Sequence, residues 1–536
     1  MRLGPIGEGR SRRRLFPHRG EFRLTSVGKT RLLVAVGFAA VGFATVWIVT
    51  GLYGPGASLD SVTYLSVARN LATGQGFVRF DGWVYTAWPP LYPWLISLGV
   101  WAGLDVADAA RVVGAGSFGI TLAALAGILG RRRGGVGWAV CGLVLVFYAL
   151  PLLNTFATAW SEAPFIALVT LACYLADRFH PALRKRDLLV LGLVAGACSV
   201  TRYVGAALVV ALGLWLLTIS GSFWQRVVRV LGFGLTASLA PGLWIFHTYL
   251  VTGRVFGNRP EGYAGLARNL REYLSNVSSY LRVESFESVG MALAALVLVG
   301  APATALLIGL WRRKRGGVLP SVTVSALFIL IYSGLLIGIA SWVPVSRLER
   351  VRFAAPVWVP LIVLFVNAAA ATWLRWPQRL ARTGLVVGLL VVASLGLSTT
   401  YPVLRYWRHF GVGGYGVAKW HHSELLAALR SSYSGQAVVS NQPHVVYFHT
   451  LIPSGFAPRF HAFRSKQPRV GDIAALRARA EREGSVQLAW FLKYPRGHGY
   501  YRPVRLKELG VCMEAEGRYR DGVLLRVLPD RACSSE

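Results

Sequence analysis

The chain has 536 residues, of which 54% are hydrophobic, with 57 Lys and Arg against 24 Asp and Glu. That apolarity excludes a soluble globular protein of this length, and recurring apolar runs of about 18 residues or more define a polytopic membrane protein. The formal charge of +33 does not mark a nucleic-acid binder, because the basic residues cluster in short runs between apolar segments, as the positive-inside rule describes.

Residues 1–31 form a basic N-terminus. The apolar run after it exceeds a signal-peptide core and no small-x-small cleavage site follows, so it reads as a retained first helix. The sequence predicts about eleven transmembrane helices within 32–401, near 33–53, 109–130, 135–153, 163–177, 188–201, 203–219, 227–250, 288–311, 318–341, 353–374 and 384–401. With a cytoplasmic N-terminus, the clusters Arg131–Arg133, Arg184–Arg186, Arg226/Arg229, Arg312–Arg315 and Arg375/Arg379/Arg382 all fall inside. Arg347, Arg350 and Arg352 fall outside and need another reason.

PPLYPWLISLGVWAGL, 89–104, is apolar but short and opens with two prolines. Counting it as a span would put Arg131–Arg133 outside, so it reads as a helix lying in the outer interface. Residues 54–108 then form one large external loop that holds Asp60 and Asp81. A second external segment, 253–287, mixes charged and aromatic residues like an interfacial amphipathic helix.

The tail, 402–536, is mostly polar. Strand-like runs QAVVSN, SVQLAWFL and GVLLRVL flank a helical IAALRARAERE, which predicts a small extracytoplasmic α/β domain. Its 20 Lys and Arg against 10 Asp and Glu give it a basic face suited to anionic headgroups, or simply a solvated surface. Cys141, Cys173 and Cys198 lie in apolar runs as small core residues. Cys512 and Cys533 either pair or stay as free thiols.

No P-loop, no GxGxxG after a strand, no HExxH and no paired CxxC occurs. His421–His422 reads as a surface or packing pair before a metal site. What remains is a set of charges near the outer face: Asp60, Asp81, Glu162, Arg202, Arg254 and Arg352. A carboxylate takes the proton from an attacking hydroxyl. Guanidiniums neutralise a leaving phosphate. Group transfer from a phosphate-linked lipid needs both at a membrane surface. The structural alternative for Asp60 is an N-cap in LDSVTYL, and for Glu162 a favourable place at a helix N-terminus.

The order of these pieces resembles the GT-C superfamily of membrane glycosyltransferases, and more narrowly the bacterial branch related to protein O-mannosyltransferases and aminoarabinose transferase. LDSVTYLSVARNLATGQGF, YTAWPPLYPWLISL, ADAARVVGAGSFGITLAALAGILGRRRGG and TFATAWSEAPFIALVTLACYLAD carry the resemblance. ERVRFAAPVWVPLIVL and VVSNQPHVVYFHT add to it. It implies an inverting transfer of a sugar from a polyprenyl-phosphate carrier to an acceptor hydroxyl on the extracytoplasmic face of a bacterial plasma membrane. The acceptor is a lipid, a polysaccharide or a protein. Asp60 maps onto the catalytic base. Tyr64, Asp81, Glu162, Arg202 and Arg352 are the substrate-binding candidates. Some relatives use a divalent metal, but no ligand set here demands a cofactor.

The sequence departs from that branch at Ser61, at Thr63 and at Ala87-Trp88, where relatives carry a Glu, an Arg and a Glu-Lys pair that help hold lipid phosphate. The departures move the phosphate contacts to Arg202 and Arg352 and argue against aminoarabinose as the sugar. Two rival readings remain, a transporter or flippase of lipid-linked substrates and a non-catalytic membrane scaffold. The helix interruption at Thr201-Arg202 favours the former.

Overall fold

The computed structural model describes residues 26–131, 135–180, 182–257, 265–282, 287–312, 319–342, 351–373, 379–461, 469, 471–492 and 499–530. The helices in chain order are α1 (Ser26–Val49), α2 (Leu59–Ala72), α3 (Leu91–Trp101), α4 (Val106–Leu129), α5 (Gly135–Tyr148), α6 (Leu150–Ala157), α7 (Glu162–Phe179), α8 (Lys185–Thr201), α9 (Ala206–Thr218), α10 (Phe223–Thr252), α11 (Leu266–Leu281), α12 (Glu287–Ala295), α13 (Ala301–Arg312), α14 (Pro320–Trp342), α15 (Ala355–Trp373) and α16 (Arg379–Phe410). Each of the eleven expected spans falls on one or two of these helices.

Among the described residues, seven helices are long and apolar enough to cross a membrane, eight if the pair α5–α6, bent by 79°, is counted as one broken span. The segments α7, α8 and α9 are shorter or more charged, for visible reasons. Helix α7 lies at the centre of the bundle, buried along most of its length, and holds three charges. One of them, Asp177, accepts from the Ser321 backbone N–H at 2.7 Å, at the start of α14. A carboxylate there meets an unsatisfied helix N-terminus, which offsets its burial. Helices α1 and α4 pack closely through glycine: a Cβ on Gly119 would lie 2.9 Å from the Ala39 carbonyl oxygen, so a small residue is needed for this approach.

The first loop contains α2 and α3 and no further span. Helix α3 has eleven residues, too few to cross a bilayer core of about 30 Å. In the second loop α11 forms a helix, but its inner face is more than an interfacial stripe. It buries Asn269, Tyr273, Asn276 and Tyr280 against α14 and the turn before α15. These polar groups are satisfied there: Asn269 donates to Ser341 Oγ at 3.2 Å, and Tyr273 lies 3.1 Å from Ser333 Oγ.

Beyond 401 the last long helix continues through Pro402 to Phe410. The tail then forms α17 (Ala418–His421), α18 (Glu424–Ser432), β1 (Ala437–Ser440), α19 (Pro443–Thr450), β2 (Ser454–Phe456), α20 (Asp472–Glu483), β3 (Val486–Phe491), α21 (Pro503–Glu508), β4 (Met513–Arg518) and β5 (Gly522–Val527). The sheet order is β2-β1-β3-β5-β4. Strands β2, β1 and β3 run parallel, while β5 and β4 are antiparallel to their neighbours. Helices α18 and α19 cover one face through Leu425, Leu429 and Val446, and α20 covers the other through Leu476 and Ala480. Of the cysteines, Cys173 and Cys198 are buried free thiols and Cys141 is partly buried. Cys512 is disulfide-bonded, and Cys533 lies outside the described residues.

Three separate chain segments meet around residues 56 and 57. Gly56 N–H donates to Ala157 O at 3.0 Å, Ala159 N–H to Gly56 O at 2.8 Å and Tyr415 N–H to Ala57 O at 2.8 Å. Gly414 makes this approach possible. Its φ is +61°, and a Cβ there would sit 1.9 Å from Ala57 O. The junction fixes α2 relative to α7 and to the tail.

Candidate functional site

Asp60 lies in the first turn of α2, two residues after the N-cap. The N-cap is Ser58, whose side chain accepts from Ser61 N while Ser61 Oγ accepts from Ser58 N at 2.9 Å. The reciprocal pair satisfies two orphan amides and leaves the Asp60 carboxylate for other partners. Its partner is Arg352, to which it is ion-paired. Arg352 sits in a single turn, Val351–Ala354, that opens α15. Tyr280 donates to Val351 O at 3.2 Å and Tyr332 to Phe353 O at 3.0 Å, so both carbonyls beside Arg352 are held by buried tyrosines.

The charges continue inward. Arg352 Nε lies 3.4 Å from Glu162 Oε1, and Arg202 Nη1 lies 2.7 Å from the same oxygen. Glu162 is the first residue of α7. Arg202 stands at the C-terminal end of α8, where a short turn, Tyr203–Gly205, interrupts the chain before α9. That interruption aims the guanidinium back at Glu162. The result is an alternating chain, Asp60–Arg352–Glu162–Arg202. Side-chain exposure is 22% for Asp60, 5% for Arg352, 1% for Glu162 and 16% for Arg202. Such deep charges persist only when paired. Asp60 is the most exposed member of the chain and Glu162 the most buried.

Trp160, Ser161 and Ser58 complete the site. The Trp160 indole N–H donates to Ser58 Oγ at 2.9 Å, and its ring lies 4.8 Å from the Arg352 guanidinium carbon. Ser161 Oγ accepts from Arg202 Nη1 at 3.1 Å and lies 3.5 Å from the Tyr64 hydroxyl. Tyr64 is one turn after Asp60 and nearly fully buried, with its ring edge-on to Tyr92 at 5.1 Å. Burial, reinforced by the Asp60 charge, raises its hydroxyl pKa well above the usual range, so it stays protonated.

The structure therefore brings together Asp60, Tyr64, Glu162, Arg202 and Arg352, from four parts of the chain. Asp81 stands outside this set and pairs with Arg79 at 2.6 Å. Arg254 is exposed and takes no part; Arg347 and Arg350 lie outside the described residues. Arg352, the basic residue that departed from the charge pattern of the short loops, answers two carboxylates. Asp60 is not the helix cap, since Ser58 fills that role. His421 packs against Tyr53 and His449, while His422 Nδ1 lies 2.8 Å from Ala418 O.

Sequence reasoning missed His444. It comes from α19, which packs against α2, and it is buried edge-on to Phe80 at 5.2 Å. Burial and the nearby Arg79 charge, opposed by Asp60, lower its pKa to about 4. It is neutral at neutral pH and places a tail-domain residue within electrostatic reach of Asp60.

The fold is that of the GT-C membrane glycosyltransferases. ArnT from Cupriavidus metallidurans, in the apo state, is similar over 94% of this chain and 98% of that chain, with 14% identity and a TM-score of 0.59; the form bound to undecaprenyl phosphate gives 13% identity and 0.61 over the same shares. An Archaeoglobus fulgidus oligosaccharyltransferase, in complex with Zn and sulfate, matches at 12% identity and 0.51 over 84% of this chain and 68% of that one. The arabinofuranosyltransferase AftD from Mycobacteria matches at 17% identity and 0.50, over 94% of this chain but 42% of its own length. No family model and no curated protein matches the sequence. The chain is a multi-pass membrane protein with this fold.

Proposed function

We propose that the chain is an inverting glycosyltransferase that moves a sugar from a polyprenyl-phosphate carrier to an acceptor hydroxyl at the extracytoplasmic face of a bacterial plasma membrane. The observation that carries the reading is the ion-pair chain Asp60–Arg352–Glu162–Arg202 on a GT-C fold. The likeness to ArnT bound to undecaprenyl phosphate supports a lipid-phosphate donor.

The chemistry follows from the order of the charges. Asp60 is ionised beside Arg352 and accepts the acceptor hydroxyl proton on a carboxylate oxygen. The acceptor oxygen bonds to the anomeric carbon as the bond from that carbon to the phosphate oxygen breaks. The electron pair leaves with polyprenyl phosphate. Arg352 and Arg202 face that developing charge, and Glu162 holds both guanidiniums so that little reorganisation is needed. Glu162 is thus a positioning residue; Tyr64 and Ser161 fix its neighbours. Asp81, at the edge of the loop, is left for sugar or acceptor hydroxyls. A divalent ion does not fit this donor set. A guanidinium stands between Asp60 and Glu162, and no group of three or more His, Cys, Asp or Glu residues gathers among the described residues. No step is routed through a metal.

The test is a transfer assay with purified protein in proteoliposomes, offered radiolabelled polyprenyl-phosphate arabinose, mannose and galacturonic acid with a cell-envelope extract. Label passing from one donor to an acceptor supports the reading and names the sugar. No transfer from any donor, by protein shown to be folded, refutes it.

A further inference from the structure

The first loop and the tail enclose a second space that the ion-pair chain does not use. It is a half-open cavity of ≈ 470 Å³ between the end of α1, the start of α4 and the tail helices α17 to α19. Its volume is in the range of small-ligand sites. Val62 and Leu65 of α2 line it. Val62 projects about 200° around the helix from Asp60, so the cavity and the ion-pair chain lie on different sides of one helix.

The lining is balanced in formal charge. Arg111 is committed: it pairs with Asp108 and donates to Thr50 Oγ1 at 3.1 Å and Trp47 O at 3.2 Å. Arg430 is bonded to His449 O. Against Asp105 and Asp108 these two arginines leave no formal net charge. His421 and His449 are both held below the usual imidazole range, chiefly by burial, His449 at about 4, so both are neutral. With two arginines against two aspartates, the lining carries a surplus of neither base nor acid.

What the cavity offers is aromatic surface and hydrogen-bond acceptors. Tyr53, His421, His449 and Phe448 form a ladder, with ring centroids 5.2, 4.7 and 4.9 Å apart in turn. Asp105 Oδ2 accepts from Ala107 N–H at 2.9 Å, and the Asp108 side chain is 47% exposed. Carboxylate oxygens accept from hydroxyl groups, and aromatic faces cover the apolar side of a sugar ring. We propose that this cavity is a binding site for a neutral glycan, separate from the ion-pair chain and its transfer chemistry.

The experiment uses the full-length protein in nanodiscs and measures binding by saturation-transfer NMR and calorimetry. The probes are α-arabinofuranosyl, α-mannosyl and β-glucosyl trisaccharides, with glycerol phosphate as the anionic control. The expected result is saturable binding of at least one trisaccharide, weakened by about tenfold or more in Tyr53→Ala and in Asp105→Ser. Serine keeps the N-cap of α4, so that variant stays folded. Absence of binding by all three trisaccharides, binding indifferent to both variants, or preference for glycerol phosphate overturns the proposal. Because binding is read without turnover, its failure is distinct from failure of the transferase reading.

Discussion

Glu162 is the residue whose loss is most informative about the site. Its carboxylate is 1% exposed and serves two guanidiniums, Arg202 at 2.7 Å and Arg352 at 3.4 Å. Glu162→Gln leaves those two cations facing each other across a neutral amide. Removing one partner of a buried pair costs about 3–5 kcal/mol, and Arg202→Met costs a similar amount by leaving Arg352 alone to answer two carboxylates. The double variant behaves differently. It retains the Asp60–Arg352 pair with balanced charge and leaves no orphan beside it. The cost of Glu162→Gln/Arg202→Met is therefore expected to fall short of the sum of the single costs by about 2–3 kcal/mol, a coupling typical of residues in direct contact. The assay is equilibrium unfolding in mixed micelles of all four proteins of the cycle. Additivity within about 0.5 kcal/mol refutes the direct coupling on which the ion-pair chain rests.

Other expectations follow from the same geometry. Ser58→Ala removes both an N-cap and the acceptor of the Trp160 indole, and is expected to cost about 1–2 kcal/mol in unfolding, with a fall in transfer activity because Asp60 loses its anchor. Tyr332→Phe strands the buried Phe353 carbonyl; the expected loss is about 1–3 kcal/mol, with a lower kcat from a displaced Arg352. The pH dependence has a definite sign. His444 and His449 have folded-state pKa values of about 4, below the unfolded value of about 6.5. The unfolded chain takes up protons first, so stability is intact above pH 6.5 and is lost as pH falls through 6.5 toward 4. Amide-exchange protection in the tail, corrected for the intrinsic pH dependence of exchange, should fall over that window, and His444→Asn should reduce the effect; corrected protection unchanged by pH contradicts it.

The spans were legible because burial in lipid forces continuous apolar runs, and the tail strands β1, β3 and β5 because they are the apolar centre of its sheet. The strands that escaped are the two edges. β2 is three residues long, and β4, MEAEGR, carries charges and a glycine, as exposed edges tend to. The site was legible as a set of opposite charges, Asp60, Glu162, Arg202 and Arg352, gathered near the ends of the spans at one face. Which charge meets which was not, because Arg352 and Asp60 are 292 positions apart and only the packed bundle joins them. Trp160 and His444 gave no such signal. A tryptophan near a span end reads as an interfacial anchor, and a histidine in the tail reads as surface. The role of Ser58 was hidden by its neighbour, since Asp60 offered an equally good cap.

The central claim is that Asp60 takes the acceptor proton. The direct measurement is single-turnover transfer by Asp60→Asn against wild type, with the productive donor and protein shown to be folded. The expected rate is lower by about 10²–10⁴-fold, with donor binding retained. Transfer at the wild-type rate contradicts it.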